Sequence, residues 1–140
     1  MRTLYEDLTR IGDYIADDVV YHLAHRGLGL GLPARVHGRQ AVIDSEQALC
    51  RLTDGTLRAS IDAIAANDFF AAVTGTFHAD VGDEAIVFPF CGLWRFRDGL
   101  IVEHWQNAYD PAILHRQLAS GPPYASTPSR PGCRQGVSLG

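Results

Sequence analysis

The sequence predicts an α+β domain built on one curved antiparallel sheet. Three observations carry this reading. The elements run helix, strand, helix and then four strands, and strands that follow helices as a block pair among themselves. Asp98-Gly99 separates two apolar, aromatic-rich runs, 92–96 and 100–109, which is the composition of a tight β-hairpin. The chain has 140 residues, 46% hydrophobic and 20% charged, which suits a single domain with a real core.

In chain order, Leu4, Leu8, Ile11 and Ile15 recur at helical spacing and predict one helix over 3–16, ended by Asp17-Asp18. Residues 19–24 (VVYHLA) are β-branched and aromatic and predict a strand. Residues 26–38 are glycine-rich with Pro33 and predict a loop. The Gly-Leu alternation of 27–32 matches neither phosphate-binding glycine pattern, GxxxxGK[ST] or GxGxxG. A second helix is expected over 40–52, with Val42, Ile43, Leu49 and Leu52 on one side. Leu57, Ala59, Ile61 and Ala63 alternate and predict a strand over 56–65, and Asn67-Asp68 turns the chain. A long strand over 69–81 passes through Gly82-Asp83-Glu84 into another over 85–96, and the hairpin follows. Pro111 opens a short helix over 112–119. From residue 120 the composition shifts: the segment 120–140 holds four of the seven prolines and little apolar material. The expected organisation is a domain over 1–119 and a Pro/Gly-rich tail over 120–140. A bent sheet of this kind wraps its helices into a cone with an internal hydrophobic pocket.

Composition narrows the function classes. The formal net charge is −4 and every basic side chain is Arg, with no Lys. No basic cluster is present to neutralise phosphates, so neither nucleic acid nor an anionic membrane is an expected partner. No apolar run reaches the roughly 18 residues that span a bilayer, and the N-terminus lacks the basic and apolar regions of a signal peptide. A cytoplasmic location is the expectation. Cys50, Cys91 and Cys133 show no CxxC spacing and read as separate thiols. The six histidines show no HxH or HExxH spacing, so no metal site is expected.

Several stretches together resemble a known family. Residues 96–105 (FRDGLIVEHW), 16–22 (ADDVVYH), 37–42 (HGRQAV) and 74–76 (TGT) resemble the strand and helix-start segments of the SnoaL-like polyketide cyclases. That family belongs to the NTF2-like superfamily, with ketosteroid isomerase and limonene-epoxide hydrolase. The resemblance runs over about residues 7–118. It implies an NTF2-like cone and a cofactor-independent cyclase or isomerase. The implied substrate is a hydrophobic polyketide-like or terpenoid small molecule, and the implied assembly is a homodimer paired through the outer residues Leu93, Val102 and Trp105. In the family a further helix precedes this segment, whereas here Met1 to Glu6 are all that stand before Asp7.

Carried over residue by residue, the resemblance departs from the family pattern at its acids. The position of the usual acid/base carboxylate, seven residues after the turn glycine, is Gln106, which cannot titrate. His104 shares its face by strand alternation and is the titratable group there, a proton shuttle. The isomerase's oxyanion acid corresponds to Gly92, and Trp94 and Phe90 follow as aromatic walls. The isomerase's base corresponds to Leu23, an apolar wall, with Tyr21 on the same face as a hydrogen-bond donor beside the Gln106 anchor. His78, near Asp80, would be a second base if the 82–84 turn presents it to the pocket. A two-residue turn places Phe77, Gly75 and Val73 with Phe88, Phe90 and Gly92, whereas a three-residue turn places His78, Thr76 and Thr74 there, and the sequence leaves both open. Two other readings stand beside the cyclase. One is an epoxide hydrolase or epoxide-opening cyclase, for which Val73 and Gly75 replace the expected Arg and Asp. The other is a non-catalytic binding or assembly module.

Overall fold

In a computed structural model, which describes residues 1–29, 31, 33–113, 115 and 116, six strands form one sheet. Helix α1 spans Arg2–Glu6, and a 3-10 segment, Leu8–Asp13, follows it. Strands β1 (Ile15–His22) and β2 (Arg35–His37) lead into helix α2 (Arg39–Leu52). Strands β3 (Arg58–Ala66), β4 (Phe70–Val81), β5 (Glu84–Arg97) and β6 (Leu100–Ala108) complete the sheet, in the order β2-β1-β6-β5-β4-β3.

Four features differ from the sequence reading, each for a local or non-local reason. The expected 3–16 helix is broken at Asp7, whose side chain accepts from Thr9 N at 3.1 Å and starts a new turn. The apolar face itself is real, since Leu4, Leu8, Ile11 and Ile15 are all buried. The glycine-rich loop contains the short strand β2, which pairs Val36 with Tyr21. The sheet is mixed rather than wholly antiparallel, because β1 runs parallel to β6. Cys91 is a free thiol, whereas Cys50 is disulfide-bonded, which corrects the reading of separate thiols. Cys133, the 120–140 tail and most of the expected 112–119 helix lie outside the described residues.

Two turns fix the register of the long strands. Asp98 and Gly99 both have positive φ (51° and 79°) and join Arg97 directly to Leu100, the two-residue hairpin that Asp-Gly favours. Gly82 and Asp83 join Val81 to Glu84 in the same way, so Phe77 pairs with Phe88, Gly75 with Phe90 and Val73 with Gly92. These pairs face the concave side, where α1, the 3-10 segment and β1 contribute Leu4, Tyr5, Leu8, Ile11 and Val19 to one core. A one-residue irregularity between Arg95 and Phe96 brings both Ile101 and Val102 under cover. Val102 is only 4% exposed, so it is not one of the outward residues that the sequence suggests for pairing with a second copy.

Candidate functional site

Three neighbouring strands set out a row of rings across the concave face. Tyr21 of β1 pairs with His104 of β6, and His104 pairs with Trp94 of β5. The Trp94 and His104 rings stack with centroids 3.5 Å apart, and Tyr21 meets His104 edge-on at 4.8 Å. Tyr5 comes down from α1 onto this row. Its hydroxyl accepts from Trp94 Nε1 at 3.3 Å, and its ring stacks on Phe90 at 5.7 Å. Where the sequence suggests an open pocket, the buried rings of Tyr5, Tyr21, Phe90 and Trp94 occupy the space.

Gly92 makes this approach possible. A Cβ there would lie 2.8 Å from the Tyr5 hydroxyl, 3.1 Å from Trp94 Nε1 and 3.2 Å from His104 Cε1. A hydroxyl, an indole N–H and an imidazole edge thus close directly over the Gly92 backbone and leave no room for a side chain. Gln106 pairs with Gly92 across the strands, half-buried at the same level. Leu23, just past the end of β1, packs against the core.

The polar groups of the row are sharply differentiated. His104 Nδ1 lies 2.8 Å from the Leu93 carbonyl oxygen, which only accepts, so Nδ1 carries the proton and Nε2 is a bare acceptor. Burial pushes the His104 imidazole down to about 3, so the ring is neutral at physiological pH. The Tyr21 hydroxyl is buried and has no hydrogen-bond partner among the described residues. Burial holds the Tyr5 and Tyr21 hydroxyls above the usual phenol range, and the nearby Glu46 carboxylate adds to both.

Glu46 is the residue that the sequence reading missed. It lies on α2, one turn beyond the fully buried Val42, so both occupy the helix face turned to the sheet. The residue is half-buried, yet desolvation alone pushes its carboxyl up to about 7. The signal was legible as an acid at i+4 from Val42 and i−3 from Leu49 on an otherwise apolar face.

His78 is not brought to this cluster, which corrects its assignment as a second base. The two-residue turn pairs it with Val87, on the face away from Phe77 and Phe88. On that outer face, Glu103 accepts from His22 Nε2 at 2.8 Å and from Arg95 Nε at 2.9 Å, and His22 stacks on Trp105. An open groove of about 640 Å³ on the outer face is bordered by Phe70, Leu93, Trp105 and Arg26. The Arg26 guanidinium is used structurally: it donates to the Leu23 and Gln106 carbonyls and to Asn107 Oδ1, tying the loop after β1 to the end of β6. Among the described residues no group of three or more His, Cys, Asp or Glu could hold a metal ion. No helix of the described residues is long and apolar enough to cross a membrane.

The two large shifts make stability depend on pH in opposite senses. Glu46 binds its proton more tightly in the folded chain than in the unfolded one. Its contribution is complete below 4.5 and is lost as pH rises through about 7. His104 binds its proton less tightly when folded, so its contribution is present above 6.5 and is lost as pH falls toward about 3. Removing the Glu46 charge should therefore help most at alkaline pH. Thermal melts of Glu46→Gln against the parent should show an advantage that grows by on the order of 1–3 kcal/mol from about pH 5 to about pH 8. An advantage that stays constant over that range would contradict a desolvated Glu46.

Comparison with known proteins agrees with this fold. The family model for the SnoaL-like domain matches residues 5–104. No curated protein matches the chain. Among solved structures, it is similar to an NTF2-like protein of unknown function from Burkholderia pseudomallei, at 22% identity and a TM-score of 0.71, covering 85% of this chain and 94% of that one. It is also similar to IdmH from Streptomyces antibioticus, proposed to be a polyketide cyclase, at 21% identity, a TM-score of 0.61, and 84% and 91% coverage. TerC, co-crystallised with polyporic acid, aligns at 17% identity and a TM-score of 0.62, with 76% and 81% coverage.

Proposed function

The chain belongs to the SnoaL-like domain family, and from that premise we propose that it is a cofactor-independent cyclase or isomerase acting on a hydrophobic, polyketide-like or terpenoid small molecule. The observation that carries this is the carboxyl of Glu46 on the face of α2 that also carries the buried Val42, pushed up to about 7 by desolvation and close enough to raise the buried Tyr5 and Tyr21 hydroxyls through its charge. A base of that strength takes a proton from carbon next to a carbonyl and returns it elsewhere. The hydroxyl of Tyr21, with that of Tyr5 beside it, donates to the oxygen on which charge develops.

In this reading the proton-transfer role passes from His104 to Glu46. His104, held neutral, serves as a fixed acceptor, and Gln106 anchors the substrate by hydrogen bonds. Trp94, Phe90 and Leu23 form the walls, and His78 takes no part. The reported relatives support the substrate class, since one is proposed to act on polyketides and another was crystallised with polyporic acid. No observation favours epoxide opening, because the two positions in question are Val73, which is fully buried, and Gly75, which is closed in by the Ser60 backbone carbonyl and the Phe90 ring.

The same reading includes a cytoplasmic protein whose working domain is 1–119, with 120–140 as a tail. It is a homodimer that covers the outer groove, where Phe70 and Leu93 are 54% and 42% exposed. Proton transfer is tested directly by incubating the protein with 1-tetralone in D2O and following the carbon next to the carbonyl by NMR. Deuterium should enter faster than in buffer alone. Binding of the ketone with no gain in exchange would favour the non-catalytic module and defeat the enzyme reading.

A further inference from the structure

Helix α1 closes the concave face, and it is held there differently from every element around it. Leu4 and Tyr5 are buried, and Tyr5 sits so close over Gly92 that a Cβ there would stand 2.8 Å from its hydroxyl. Side chains alone make this hold. Among the described residues no backbone hydrogen bond joins α1 to the sheet; the Leu4 and Tyr5 amides bond only to the Met1 carbonyl, at 3.1 and 3.3 Å. A five-residue helix without a side-chain N-cap is not sustained by water on its own. Ordering such a turn costs chain entropy comparable with what burying two side chains returns. Its release therefore lies well below global unfolding.

The chain beyond Asp7 is fixed by contrast. Asp7 leaves the helix in an extended conformation (φ −152°, ψ 89°), and its carboxylate starts the 3-10 turn. Leu8 and Ile11 of that segment are buried. Gly12 is pressed against α2, where a Cβ would lie 2.9 Å from Ile43 Cδ1. Ile101 N donates to the Tyr14 carbonyl at 2.8 Å and pins the end of the segment to β6. A loosely held turn thus meets a firmly held one at a single extended residue, which is the arrangement of a hinge.

Resting on the reading above, we propose that α1 is a lid hinged at Asp7 and that Tyr5 is the plug with which it shuts the concave face. With the lid down, the row from Tyr21 to Trp94 is sealed, and the closed protein has no room there for a ligand. Rotation about Asp7 lifts Tyr5 off Phe90 and Trp94 and uncovers Gly92, His104 and the unpartnered Tyr21 hydroxyl. The Tyr5 oxygen accepts from Trp94 Nε1, so its own proton stays available. Closure then excludes water and returns that donor in one movement.

Chymotrypsin tests this on the ligand-free protein. It cuts after Tyr5 only when the ring leaves the core and enters the protease pocket, so the cut counts open lids rather than frayed backbone. Under native conditions mass spectrometry should show loss of residues 1–5 while residues 15–108 stay intact. Rates are compared with those of an unstructured peptide of the same sequence. Tyr5→Phe gives up the bond to Trp94 and keeps a cleavable ring, so it should be cut roughly fivefold faster. Gly92→Ala sets a methyl group against the Tyr5 hydroxyl and should speed the cut roughly tenfold. Adding Tyr5→Phe to it removes that hydroxyl and should cancel most of the effect. Cleavage after Tyr5 that appears only together with cuts inside β5 and β6 would make α1 part of the global core and overturn the lid. So would a Tyr5→Phe protein cut no faster than the parent. The proton-transfer reading fails separately: a lid that opens without deuterium exchange leaves the gate and removes the enzyme. Exchange with α1 immobile overturns the lid and leaves the enzyme standing.

Discussion

Replacing Glu46 by glutamine should lower turnover by about 10²- to 10⁴-fold, the usual contribution of a positioned acid/base group. Glutamine keeps the shape and the hydrogen-bonding ends of the side chain but cannot take a proton. Folding should survive, because the substitution removes a desolvated charge rather than a packed partner. The parent protein supplies a second signature. A carboxyl pushed up to about 7 must be ionised to act as a base, so kcat/KM should rise with pH and level off above that value. The variant should lack this rising limb. Full activity in Glu46→Gln would remove the carboxyl from the chemistry, and a limb centred near the ordinary carboxylate range would say that it is not desolvated. His104→Gln serves as the contrast. Its ring is already neutral across this range, so its loss should alter affinity and leave the position of the limb unchanged.

Trp94→Ala should be the most damaging single change to stability, costing about 3–5 kcal/mol. Trp94 is 2% exposed and touches three partners at once: it stacks on His104, meets Tyr21 edge-on at 6.0 Å and donates Nε1–H to the Tyr5 hydroxyl. Truncation leaves a cavity and also deprives the Tyr5 oxygen of its donor. Small domains hold only about 5–15 kcal/mol in all, so the variant should sit near its unfolding threshold at moderate temperature. Urea unfolding reads this as a lower midpoint with an unchanged slope. A loss under about 1 kcal/mol would mean that the ring lines accessible space rather than closing the core.

What the residues disclose in advance follows the range of the forces involved. The 98–99 hairpin is legible because Asp-Gly chemistry is local and both residues adopt positive φ. The 82–84 turn is not, because Gly-Asp-Glu is compatible with two loop lengths, and one residue of slip exchanges His78 for Phe77. The N-terminal apolar face is legible in Leu4, Leu8, Ile11 and Ile15, but its backbone is not, since Asp7 offers its own cap to the chain. The parallel pairing of β1 with β6 joins the two ends of the domain and leaves no mark in either segment alone. Of the site, His104, Trp94, Tyr21 and Gly92 fall together through strand alternation. Glu46 leaves a fainter mark, a lone acid on the apolar side of a helix, while the resemblance points to carboxylates on strands.

The placement of β6 has a consequence for how the molecule comes into being. It is the last strand among the described residues, yet it lies inside the sheet, with β1 on one side and β5 on the other. Contacts such as His22 with Glu103 join positions 81 apart. Until the 100–108 segment arrives, β1 and β5 each present an open edge and the row of rings has no middle. Assembly must therefore wait for closure of a long loop, which places refolding on the order of milliseconds to seconds. During synthesis the unfinished chain carries two strand edges more than the finished sheet, those of β1 and β5, and the His104 strand both completes the site and seals them.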